Sequence, residues 1–253
     1  MTLAGRVVAV TGAGGPMGRA TVDRLVAEGA SGLALTDISG TRLAETVAAL
    51  AAAAPGLPVV ALRGDVTRAD EAGAFAAAAL ADLGRVDALV NLVGGIRSTR
   101  LYTPFLEMDE DQWRATFDIN LMPAFHLVRA FAPGMLAREW GRIVNIASIV
   151  YGGEAGQADY AAAKAAVASL SRTLAMELAP HVTVNTVAPG LTNTSVTRNI
   201  PSAERDRLVA AAMHRRMAEP EETADAIAFF LSDRARFVTG EMISVSGGIR
   251  PHL

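Results

Sequence analysis

The chain has 253 residues, 51% of them apolar and 19% charged, with a net charge of −3 at pH 7. That balance supports a buried core and excludes global disorder, and a pI near 5.8 leaves no basic footprint for nucleic acid. The absence of cysteine excludes disulfides, thiolate nucleophiles and cysteine-based metal sites.

No uninterrupted apolar run reaches the roughly 18 residues that a membrane span needs. The opening MTLAGRVVAVTG reaches a glycine turn too early for a signal peptide. A soluble, cytoplasmic protein is expected, acting on a small molecule, with neither nucleic acid nor membrane as partner. None of His126, His181, His214 and His252 has metal-ligand spacing, so no metal is expected.

The first strand is predicted over 6–11 (RVVAVT). It runs through TGAGGPMG (11–18) into a helix over 17–28. Amides at a helix start, with glycines that allow close approach, suit a pyrophosphate. Gly12, Gly14, Gly15, Pro16, Met17 and Gly18 are the candidate cradle. The second strand, 33–36, ends in Asp37, 19 residues after Gly18. A carboxylate there accepts hydrogen bonds from both hydroxyls of an adenosine ribose and repels a 2′-phosphate. The next residue, Ile38, supplies no positive charge. Both features favour NAD, with NADP less favoured; the alternative is that Asp37 caps the following turn.

Further helices are predicted over 40–53, 69–82, 109–137, 157–179 and 220–231. They alternate with strands over 59–62, 87–91, 142–147, 182–187 and 242–246. Short, continuously apolar strands between helices imply a parallel sheet covered on both faces. The fold class expected is α/β: a Rossmann-type doubly wound parallel sheet of about seven strands in one domain, 1–253. The long stretch without a strand, about 191–218, is where a lid would sit.

The basic residues carry one exception. Of 23, only Lys164 is a lysine, and it follows Tyr160 by four positions in YAAAK. That spacing puts both side chains on one face of the 157–179 helix. Ser148 lies twelve residues before Tyr160, at the end of the fifth strand, and Asn120 lies in the preceding long helix. Proton transfer on an alcohol oxygen needs an acid/base near neutrality. Bringing a tyrosine there costs about 4 kcal/mol, which a nearby ammonium offsets by stabilising the phenolate.

These motifs resemble those of the short-chain dehydrogenases/reductases over essentially the whole chain. The family's TGxxxGxG reads here Thr11, Gly12, Pro16, Gly18, with proline in place of the central glycine. Asn120, Ser148, Tyr160 and Lys164 match its Asn-Ser-Tyr-Lys tetrad. The resemblance implies hydride transfer between NAD(H) and a secondary alcohol or ketone. Tyr160 would be the acid/base, Ser148 would bond the substrate oxygen, Lys164 would hold the nicotinamide ribose, and Asn120 would hold a water that links Lys164 to solvent. It also implies cofactor contacts from Asp65 and Val66, from Asn91 and Gly94 in NLVG, and from Pro189, Gly190 and Thr194. Asn91 reads equally well as a tie between strands. Pro123 is expected to kink the long helix.

Tyr151, Glu154, Gln157, Arg97 and Tyr102 are candidates to border the substrate. A homotetramer is implied, built on the 109–137 and 157–179 helices, with Ala161, Ala165, Ala168 and Ala175 allowing close approach. The tail SGGIRPHL is implied as a second contact. Two alternatives stand beside this reading. One is a 3-oxoacyl-carrier-protein reductase, although Glu139 and Pro180-His181 stand where such relatives carry basic residues. The other is a nucleotide-sensing binding protein without catalysis.

Overall fold

The computed structural model describes residues 2–97, 100–198 and 200–249. Seven strands form one parallel sheet: β1 (Val7–Thr11), β2 (Gly32–Asp37), β3 (Val59–Arg63), β4 (Ala88–Asn91), β5 (Gly141–Ile146), β6 (Val182–Pro189) and β7 (Met242–Val245). Their order is β3-β2-β1-β4-β5-β6-β7, and every pairing is parallel. All seven strands fall where the apolar runs place them.

The helices are α1 (Pro16–Ala27), α2 (Gly40–Ala53), α3 (Ala69–Leu83), α4 (Glu110–Ala137), α5 (Ala158–Glu177), α6 (Ser195–Arg198), α7 (Ser202–Ala211) and α8 (Pro220–Leu231). Their ends follow local chemistry. Pro16 opens α1, where its missing N–H costs nothing. Asp109 caps α4 by accepting from the Gln112 amide at 2.6 Å. Gly84 ends α3 in the left-handed conformation, φ 72°. α4 contains both Pro123 and Pro133 within one continuous α-helix.

Two apolar layers sandwich the sheet. One joins α1, α2 and α8 to it through Val22, Leu25, Leu43 and Phe230. The other joins α3, α4 and α5 through Phe75, Leu127, Phe131 and Ala175. Phe75 and Phe131 meet edge to face at 6.3 Å. Each buried ring contributes about 2–3 kcal/mol by leaving water. These layers hold the C-terminal strand ends in register. The strand order reverses between β1 and β4, which opens a crevice at those ends. No helix among the described residues is long and apolar enough to cross a membrane.

Candidate active site

The loop after β1 lies at the crevice floor. A Cβ on Gly18 would fall 2.0 Å from the Gly12 carbonyl oxygen, and one on Gly14 2.7 Å from the Arg42 Cβ. Only glycine packs at either position. The first-turn amides of Met17 and Gly18 are among those a helix start leaves without internal partners, and Pro16 has none to give. The Gly14 amide donates to Asp37 Oδ2 at 3.0 Å. The Gly15 amide turns back to the Gly12 carbonyl.

Asp37 ends β2 and is buried. Besides Gly14, it accepts from the Ser39 amide at 2.8 Å and from Arg42 Nη2 at 3.3 Å. It thus braces the glycine loop and the turn that follows β2. Ile38 is half exposed beside it. Arg42, five residues on, brings a cation to this strand end that Ile38 does not supply. At the third strand end, Asp65 Oδ1 accepts from the Thr67 amide and hydroxyl, and Val66 is buried. The Val66 carbonyl contacts His126 Nδ1 at 3.1 Å.

Thr11, not among the candidate cofactor contacts, fixes the loop after β4: its hydroxyl accepts from the Leu92 and Val93 amides. Asn91 ties strands. Its Nδ2 donates to Asn145 Oδ1 at 2.8 Å, and Asn145 Nδ2 donates to Ser171 on α5. Gly94 makes room for two functional side chains. A Cβ there would stand 2.7 Å from Asn120 Oδ1 and 2.8 Å from Lys164 Nζ. Asn120 pairs reciprocally with Gly95, accepting from its amide at 3.1 Å and donating to its carbonyl at 2.8 Å.

The tetrad converges. Ser148 follows β5 and caps the short 3₁₀ turn Ile149–Gly152. The Tyr160 phenol bonds to Ser148 across to α5. Lys164, one turn along α5, is 3% exposed, and its Nζ donates to the Ile146 carbonyl at 2.7 Å. Nζ also lies 5.7 Å from the centre of the Tyr160 ring. Burial brings Lys164 down from 10.5 to about 7. Burial raises the Tyr160 phenol, and the Ser148 bond offsets part of that. This is opposite to the lowering expected from Lys164. The reason is shared burial, which disfavours the ammonium as it disfavours the phenolate.

The segment 191–218 leaves and returns at one place. Thr192 pairs with Ala218, and the Asn193 amide donates to the Ala218 carbonyl. Thr194 is buried and bonded to Thr197. Gly190, after Pro189, donates to the Val245 carbonyl. The Tyr102 hydroxyl donates to Glu204 Oε1 on α7 at 2.7 Å, and Arg207 grips the same carboxylate. Of the five candidates for the substrate border, Gln157 is corrected: it is buried and donates to the Leu101 carbonyl, tying two loops. Arg97 is exposed, and Tyr151 and Glu154 are partly so. Residues 250–253 of the expected tail contact lie outside the described residues.

Amides at a helix start, a crevice at the topological switch and a notch that a Cβ at position 94 would fill make a site that fits a nicotinamide dinucleotide. A family described as Enoyl-(Acyl carrier protein) reductase matches residues 12–250. The 3-oxoacyl-[acyl-carrier-protein] reductase FabG of Vibrio cholerae is 36% identical over 251 residues, 98% of this chain and 99% of the relative. The solved structure of levodione reductase superposes with a TM-score of 0.92 at 30% identity, over 97% of this chain and 98% of that one. A 7α-hydroxysteroid dehydrogenase complexed with NADH and 7-oxo glycochenodeoxycholic acid superposes with 0.91 at 30% identity, over 100% and 97%. Fold and site define a nicotinamide-dependent oxidoreductase. The chain belongs to the short-chain dehydrogenase/reductase family.

Proposed function

We propose that this oxidoreductase interconverts a small secondary alcohol and its ketone, with NAD(H) as the preferred cofactor and Tyr160 as the acid/base. The observation that carries the reading is the convergence of the Ser148 and Tyr160 hydroxyls with buried Lys164 at the Gly94 notch. When bound, the nicotinamide supplies or accepts the hydride, and its oxidised ring adds positive charge. Ser148 holds the substrate oxygen by donating a hydrogen bond. Tyr160 gives or takes the proton on that oxygen. Lys164 would hold the ribose hydroxyls, and Asn120, fixed by Gly95 and Thr116, lies on the proton's path from Lys164 to solvent. The amides of Met17 and Gly18 would hold the pyrophosphate, with Asp65, Val66, Asn91, Pro189, Gly190 and Thr194 lining the rest.

Asp37 supports NAD over NADP by its charge, while Arg42 on the same carboxylate and Arg63, whose Nε donates to the Ile38 carbonyl at 3.2 Å, are nearby cations that suit a 2′-phosphate. A second reading, reduction of a 3-oxoacyl carrier thioester, is favoured by full-length similarity to the carrier reductases. Exposed Glu139 at the end of α4 weighs against docking an acidic carrier. Initial rates with NAD(H) and NADP(H), on secondary alcohols, ketones and a 3-oxoacyl carrier thioester, separate the two. Turnover restricted to the thioester with NADPH sinks the first reading.

A homotetramer belongs to the proposal. Exposed Phe105 (64% exposed), packed against half-buried Trp113 and Phe117 at the start of α4, supports it. Ala161 and Ala175 are buried within the protomer, so only Ala165 and Ala168 remain for close approach. Light scattering giving a stable monomer at micromolar concentration would remove the assembly.

A further inference from the structure

Asp159 immediately precedes Tyr160 and has no role in the chemistry above. Its carboxylate is 1% exposed, on the first turn of α5. A buried carboxylate is costly unless donors converge on it. Three do. Oδ1 accepts from the Tyr160 amide at 2.8 Å. Oδ2 accepts from the Thr116 hydroxyl at 2.8 Å and from Gln112 Nε2 at 3.1 Å, both on α4. The position also suits a helix start, where negative charge faces the positive end of the dipole.

The contacts continue past the carboxylate. The Thr116 carbonyl accepts from Asn120 Nδ2 at 2.7 Å. Asn120 holds Gly95, and the neighbouring Gly94 notch sits against both Asn120 Oδ1 and Lys164 Nζ. From the Tyr160 backbone to Gly95, every step is a hydrogen bond, and the Gly94 notch next to it has Lys164 Nζ on its border. The apolar layer between α4 and the α5 body lies further along, at Leu127, Phe131 and Ala175. At the reacting end the two helices are joined by polar contacts through Asp159.

We propose that Asp159 is a positioning residue: it sets the tyrosine-bearing end of α5 against the asparagine-bearing part of α4, so that Tyr160 and Asn120 keep their places at the Gly94 notch. The proposal rests on Tyr160 being the acid/base. Geometry of this kind matters to the chemical step more than to substrate affinity, because a small misplacement of a reacting group costs rate steeply. An asparagine fills the same place with two partners reversed. Its oxygen accepts from the Tyr160 amide, and its NH2 donates to the Thr116 hydroxyl, which rotates to accept, and to Gln112 Oε1 once that side-chain amide turns over.

The test uses the full-length enzyme and three variants. Asp159→Ala is expected to lower kcat by 10- to 100-fold, with KM for substrate and Kd for NAD(H) within about 3-fold. Asp159→Asn is expected to restore kcat to within about 5-fold of the parent. Thr116→Val removes the α4 hydroxyl alone and serves where Asp159→Ala fails to fold; it is expected to lower kcat at least 3-fold at unchanged KM. An unchanged kcat in a folded Asp159→Ala, or in Thr116→Val, overturns the proposal, as does an Asp159→Asn no better than the alanine. Tyr160→Phe is measured beside them. If it keeps full activity, the acid/base reading fails instead, and the two failures are told apart.

Discussion

Gly94 and Lys164 exclude one another's growth: a Cβ on the glycine would lie 2.8 Å from the lysine Nζ. The ammonium is held in place by its hydrogen bond to the Ile146 carbonyl. Gly94→Ala is expected to displace Nζ and Asn120 together. Overpacking of this kind costs about 1–3 kcal/mol of stability. Turnover should fall at least 10-fold, well beyond the loss of fold. Crystal structures of the variant with Lys164 unmoved and kcat intact would show the notch to be incidental.

Most of the architecture was legible, because the signals are local. A continuous apolar strand such as RVVAVT, buried throughout, has one reading in a parallel sheet. Gly18 was legible through its position between strand and helix. What escaped depends on contacts between segments distant in sequence. Arg42 is the local exception: it stands five residues past Asp37, and the first turn of α2, packed on Gly14, turns its guanidinium onto that carboxylate. Tyr102 finds Glu204 across 102 residues. Asp159 appeared as an ordinary first-turn acid, and only the packing of α4 on α5 makes it a junction. The upward shift of the Tyr160 phenol is hidden for the same reason: spacing places the lysine near it, but does not show that Lys164 is buried and that packing shields the half-buried phenol.

Tyr160→Phe removes a hydroxyl and little volume. NAD(H) binding should persist while turnover falls by 10²-fold or more. Lys164→Arg is sharper. The site offers Nζ one carbonyl acceptor in a buried niche, and a guanidinium brings five donors in a broad plane. Activity should collapse with the charge retained. Near-normal turnover by Lys164→Arg would show that charge alone suffices.

The cofactor preference is expected to follow Asp37. A phosphate beside that carboxylate costs at least about 1–2 kcal/mol, roughly 10-fold in selectivity for NAD(H). Replacing Asp37→Ser with Ile38→Arg should narrow or reverse it. Arg42→Ala should weaken whatever use of NADP(H) the parent shows. A kcat/KM with NADP(H) equal to that with NAD(H) would mean that Arg42 outweighs the carboxylate.

Tyr102, Glu204 and Arg207 fasten α7 to the loop after β4. Arg207 and Tyr102 hydrogen bonds hold the Glu204 carboxyl down at about 2, and burial with the adjacent carboxylate pushes the Tyr102 phenol up to about 12. The contact should therefore persist across pH 5–9 without titrating. Tyr102→Phe should raise the substrate KM several-fold, leave cofactor Kd unchanged and speed proteolysis within 193–217. Equal proteolysis of parent and variant would show that the segment is held elsewhere.

Lys164 gives a prediction on stability with a definite sign. Burial lowers its folded value from 10.5 to about 7, so between those limits the unfolded chain binds a proton that the folded chain lacks. Stability from this group therefore rises with pH through that window, by about 1.4 kcal/mol per pH unit, and is fully lost below about pH 7. Lys164→Met abolishes the ammonium and its burial cost, while leaving the Ile146 carbonyl without its donor at every pH. The second effect is constant, so the difference between the two proteins isolates the first. Thermal unfolding without added cofactor should show Lys164→Met gaining on the parent at pH 6.5 relative to pH 9.5. Each kcal/mol is worth about 2–4 °C in a domain of this size. The other titrating groups are common to both proteins and cancel. A Tm difference that is the same at the two pH values would mean that the buried ammonium carries no such penalty, and that the niche below Gly94 is wetter than its burial implies.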